Sequence, residues 1–80
     1  MNDRFIVISP LSVNDEGVEH KYTDDPLIAI RVSDVLTFAI NIGSSETKMI
    51  VRDIGNRSGY VRYTVKESFE YILDAVNKED

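Results

Sequence analysis

Residues 60–76 read YVRYTVKESFEYILDAV, and this stretch decides the fold class. Its first half, Tyr60–Val65, has the period of a half-buried strand, with Val61, Tyr63 and Val65 on one face. The period then changes. Val65, Phe69, Ile72, Leu73 and Val76 recur at helical spacing as one apolar stripe, and Glu67, Glu70, Asp74, Lys78 and Glu79 take the polar side. Thr64-Val65-Lys66-Glu67 has capping-box spacing, in which Thr64 accepts the N3 amide and Glu67 reaches back to the N-cap amide. A helix of about 12–14 residues follows from this reading, too short to stand without a sheet beneath it.

Upstream, the chain reads as short strands separated by turns. Thr47–Ile54 is a strand, joined to Tyr60–Val65 by Gly55-Asn56-Arg57-Ser58-Gly59. Val35–Ile42 alternates with Leu36, Phe38, Ile40 and Ile42 on one face. Leu27–Val32 does the same with Ile28, Ile30 and Val32, and Ser33-Asp34 separates the two. Arg4–Ser9 is β-branched and aromatic and stops at Pro10. Leu11–Pro26 is polar, with turn chemistry at Asn14-Asp15-Glu16-Gly17 and at Asp24-Asp25-Pro26. Between those turns Val18–Tyr22 alternates weakly, as the return arm of a hairpin or as irregular loop. Hairpin-like connections throughout predict one α+β domain over residues 1–80. Its small antiparallel sheet of four to five strands is covered on one face by a single C-terminal amphipathic helix.

Composition narrows the function classes. Of the 80 residues 42% are hydrophobic and 29% charged, the balance of a folded chain rather than a disordered one. There is no cysteine, so disulfides and thiolate metal sites are excluded, which fits a reducing, cytoplasmic setting. The apolar run Phe5–Ile8 is too short for a signal-peptide core or a membrane span. A net charge of −5 disfavours non-specific binding to nucleic acid or anionic membrane.

Several constellations invite a chemical reading, and each has a plainer one. His20 is the single histidine, so no two-histidine metal site can form in one chain. Asp24, Asp25, Ser9, Ser12 and Thr23 could be arranged around it, but no strained elbow or glycine-flanked serine fixes such geometry, and an exposed loop histidine is the simpler expectation. Asn14, Asp15 and Glu16 with Asp24 and Asp25 could gather oxygens around a divalent cation, yet they lack EF-hand alternation and suit turns. Gly55–Gly59 has a GxxxG shape, but a phosphate loop needs a following lysine and helix, whereas Tyr60 and a strand come next. No catalytic, cofactor or metal residue is assigned. One candidate face stands out: Arg52, Arg57, Tyr60 and Arg62, where adjacent strands would set basic and aromatic side chains together for an anionic ligand or single-stranded nucleic acid.

Over residues 27–76 the order of elements resembles the small bacterial FlbD-like flagellar proteins. The resemblance is carried by the turn at Asp34-Val35, two hairpin-linked strands, and Tyr63-Thr64-Val65-Lys66-Glu67-Ser68 entering a helix with Phe69, Ile72 and Val76. It implies a fold and no flagellar activity. The chain departs from the pattern in its N-terminal Met1–Pro26 segment and its longer Gly55–Gly59 turn. Together these readings point to a non-enzymatic protein–protein interaction module of bacterial or bacteriophage origin, with nucleic-acid or anionic-ligand binding as the alternative. One helix cannot shield both faces of such a sheet. A homodimer, by sheet-face packing or edge-strand addition, is therefore expected unless Leu11–Tyr22 folds back as a lid.

Overall fold

The computed structural model describes residues 4–40 and 43–78, so Ile42, Glu79 and Met1–Asp3 of the readings above lie outside the described residues. Seven strands and one helix follow in order: β1 (Phe5–Ile8), β2 (Pro10–Asp15), β3 (Val18–Lys21), β4 (Ile28–Arg31), β5 (Val35–Ile40), β6 (Thr47–Arg52), β7 (Tyr60–Val65) and α1 (Phe69–Asn77). A 3₁₀ turn, Val32–Asp34, takes the place expected for a break before β5. The α+β, antiparallel class is as expected, but the strands divide between two sheets. β1 and β4 form a ribbon, and the rest form a five-stranded sheet in the order β3-β2-β7-β6-β5.

Pro10 explains the division. It does not end strand structure but opens β2, the first position of a strand being one where a missing N–H costs no ladder bond. At the bend between the two sheets the Ser9 amide donates to Glu67 Oε1 at 2.8 Å, and the Lys66 amide donates to the Ser9 carbonyl at 3.0 Å. Leu11–Pro26 is consequently no open loop. β2 pairs with β3 through a tight turn whose central residues, Glu16 (φ 53°) and Gly17 (φ 87°), both have positive φ, as a two-residue hairpin of matching twist requires. This hairpin widens the sheet and does not cover it. His20 therefore sits exposed on β3, opposite Val13, rather than in a loop.

The core lies between the sheet and the layer made by the ribbon and α1. Ile6, Ile8 and Ile30 of the ribbon meet Met49, Val51, Val61 and Val65 of the sheet and Ile72 of the helix, all buried. Val61 and Val65 thus take the inward parity read from the sequence, with Tyr63 half-buried between them. β5 departs from its expected parity. A bulge between Val35 and Thr37 inserts Leu36 as an extra residue, so Val35 and Phe38 pack on the core while Leu36 and Ile40 are exposed. β6 ends at Arg52, and Ile54, expected in that strand, is 92% exposed in the turn that follows. Leu27, expected to open β4, precedes it and is exposed.

The helix starts later than the capping box implied. Thr64 belongs to β7 and is buried, and the N-cap is Ser68, whose Oγ accepts the Tyr71 amide at 3.1 Å. The helix is accordingly 9 residues, Val65 stays in the sheet, and Leu73 lies on its exposed side. Two contacts tie this short helix down. Phe69 stacks at a tilt on Phe38 with ring centroids 5.3 Å apart. No basic residue occupies its last turn, but the Arg4 guanidinium donates to the carbonyls of Ala75 (3.3 Å), Val76 (3.0 Å) and Lys78. A cation from the other end of the chain thus satisfies the orphan acceptors at the helix C-terminus.

Candidate functional site

The ribbon and α1 cover one face of the five-stranded sheet, and the other face is open. Strand register determines what stands on it. Arg52 pairs with Tyr60, Ile50 with Arg62, and Lys48 with Thr64 across β6 and β7. Thr64 pairs with Ser12 and Arg62 with Asn14 on β2, and these in turn pair with Lys21 and Glu19 on β3. Directly opposed residues point to the same side of a sheet. Four of the chain's nine Lys and Arg residues (Lys21, Lys48, Arg52, Arg62) therefore share this face with one carboxylate, Glu19, in a chain of net charge −5.

Of the residues singled out from sequence, Arg52, Tyr60 and Arg62 are brought together here. Arg57 is not on the strands. It sits exposed in the turn between β6 and β7, a segment held by its own bonds. There Asp53 Oδ1 accepts the Gly55 amide at 3.0 Å, Asn56 Oδ1 accepts the Ser58 amide at 3.0 Å, and the Asp53 amide donates to the Gly59 carbonyl at 2.9 Å. This is hairpin chemistry, with Gly59 at φ 87°, and no helix follows to make a phosphate loop. The acidic turn residues are also engaged locally. Asn14 Oδ1 accepts the Gly17 amide at 3.0 Å, Asp15 accepts from the Asn56 side chain, and Asp25 pairs with Lys66 at 2.6 Å. Among the described residues no group of three or more His, Cys, Asp or Glu is placed to hold a metal ion.

The open face is furrowed. Ser12 and Thr64, small and nearly buried, form a floor between the longer side chains of Lys48, Arg62, Asn14 and Glu19, around a depression of about 120 Å³. Lys48 Nζ donates to Thr64 Oγ1 at 3.0 Å, which holds one ammonium over that floor. The depression continues past Arg62 and Asn14 toward Tyr60 and Ser58, and past Lys48 toward Lys21 and Glu46. Sequence reasoning missed Lys21, Lys48, Ser12, Asn14 and Thr64 here, because their shared face depends on β2 pairing with β7. The weak alternation of Val18–Tyr22 was the one signal of that hairpin. Chemically, ammonium, guanidinium, hydroxyl and amide donors line a shallow channel, an arrangement that receives oxyanions.

Elsewhere a groove of about 470 Å³ lies between β1 and α1, lined by Phe5, Val7 and Tyr71 with Arg4, Asp74 and Lys78. Its arginine is committed to the helix end, and Tyr71 Oη donates to the Val7 carbonyl at 3.1 Å. No helix among the described residues is long and apolar enough to cross a membrane. Compared with known proteins, the chain matches no family model, no curated protein and no solved structure at a significant level.

Proposed function

We propose that this chain is a small non-enzymatic interaction module whose open sheet face receives an acidic segment of a partner protein. The observation that carries the reading is the concentration of Lys21, Lys48, Arg52 and Arg62 on one furrowed face of an otherwise acidic molecule. Local positive potential of this kind steers and registers an anionic partner while the remaining negative surface rejects nucleic acid and anionic membrane in bulk. The chain's size and acidity and its resemblance to FlbD-like proteins favour a bacterial or bacteriophage source, and the absence of cysteine favours the cytoplasm. Tyr60 beside Arg52 and Arg62 supports the second reading, in which a single strand of nucleic acid stacks on the face.

A fluorescent oligo-glutamate peptide of about ten residues, about 33 Å when extended, distinguishes the two when titrated beside a single-stranded oligonucleotide of equal length. The expected result is saturable peptide binding that weakens with salt and falls by about tenfold or more in Arg62→Glu and Lys48→Glu. Tighter, sequence-independent oligonucleotide binding that also requires Tyr60 would replace this reading with the second. Binding of neither would remove both.

A further inference from the structure

The five-stranded sheet ends in two edges of opposite character. β3, at one edge, has four residues, of which Glu19, His20 and Lys21 are polar or charged. Short length and charge are how natural sheets keep an edge from pairing. β5, at the other edge, is Val-Leu-Thr-Phe-Ala-Ile, with no charge and no proline, and among the described residues no strand bonds its outer side. Apolar side chains flank it: Leu36 is 47% exposed, Ile40 44%, and Leu73 of the adjoining helix 40%. The ribbon offers no comparable edge, since both of its strands have four residues and the Val7 carbonyl of β1 is already bonded to Tyr71.

We propose that β5 pairs antiparallel with β5 of a second copy, about a twofold axis perpendicular to the sheet. Charge selects this occupant and this place. Two copies of a chain of net charge −5 repel, and β5 is the sheet edge where they can align without setting like charges opposite one another. A perpendicular axis keeps the faces of both sheets on the same side, so the pair has ten strands and one continuous open face. The shallow depression beside the seam, lined by Thr37, Ala39, Lys48 and Ile50, then continues into its symmetry mate. The pairing does not depend on what the open face binds. Six residues give a seam of about 20 Å, which places the contact at the small end of specific interfaces and makes the dimer concentration-dependent.

Light scattering coupled to size exclusion, from about 10 to about 500 µM, brackets the weak dimers that small interfaces give. The mass is expected to climb from one chain toward two, to stay at one in Leu36→Lys and Ile40→Lys, and to climb as in wild type in Val7→Lys. Both β5 substitutions replace exposed side chains, and a circular-dichroism melt checks that the fold survives. Should either variant fail to fold, amide exchange on the wild-type chain serves instead: β5 amides gain protection as concentration rises. A wild-type mass fixed at one chain, β5 protection that ignores concentration, or a dimer dissolved by Val7→Lys but not by Ile40→Lys would overturn the pairing.

Discussion

Two inward-facing residues of the large sheet make opposite demands on the core. Thr47 is fully buried, and its Oγ1 has no hydrogen-bond partner. An unpaired buried hydroxyl costs free energy, so Thr47→Val, nearly the same shape, should leave stability unchanged or raise it by up to about 1 kcal/mol. A denaturant midpoint that falls clearly would show that the hydroxyl is bonded in solution. Tyr63 is half-buried on the same face. Burial raises its phenol pKa above the ordinary 10.0, and Tyr22 and then Asp53 add to the shift. Its folded pKa exceeds its unfolded one, so above the unfolded value the native state holds more protons and stability falls as pH rises. Melting temperature should drop between about pH 9 and about pH 11, and Tyr63→Phe should reduce that drop. An identical alkaline profile in the variant would sink the assignment. Tyr63 also shows what a residue pattern can carry: its face was legible from alternation with Val61 and Val65, whereas its neighbour Tyr22 arrives through a hairpin that alternation only hinted at.

At the scale of elements, the change of period near residue 65 was legible, and the exact point of change was not. Two hydroxyl caps compete in Thr64-Val65-Lys66-Glu67-Ser68. Strand pairing with β2 and β6 claims Thr64, which leaves Ser68 to cap the helix and sends Glu67 to the Ser9 amide. Ser68→Ala should therefore cost about 1 kcal/mol and speed exchange of the Tyr71 amide. Thr64→Ala should leave that amide unchanged, and the reverse pattern would restore the capping box. Arg4 makes the matching prediction at the other end. Arg4→Met keeps the aliphatic stem but removes the donors to Ala75 and Val76, and should cost about 1–2 kcal/mol with fraying confined to the last turn. An unaffected last turn would contradict that role. No sequence rule links Arg4 to a helix more than sixty positions away, and none anticipates the β5 bulge that turns Leu36 outward; both are settled by tertiary packing.

The whole molecule is an acidic shell around one basic face, and that asymmetry is the centre of the account. From sequence, Arg52, Tyr60 and Arg62 could be placed on a shared face because two strands with a short turn between them impose it. The remainder of the face was hidden, because β7 joins β2 across some fifty residues and only that pairing brings Ser12, Asn14 and Lys21 beside Arg62 and Lys48. The same topology explains why Leu11–Tyr22 is no lid: its strands extend the sheet, and its outward side chains help build the furrow. The most direct test is amide chemical-shift mapping by NMR while an oligo-glutamate peptide is added at low and then raised salt. The account predicts salt-sensitive shifts concentrated at Ser12, Asn14, Lys48, Arg62 and Thr64, with Ile6, Ala75 and Val76 on the opposite layer unmoved. Shifts centred on the groove between β1 and α1, or none at any peptide concentration, would contradict it.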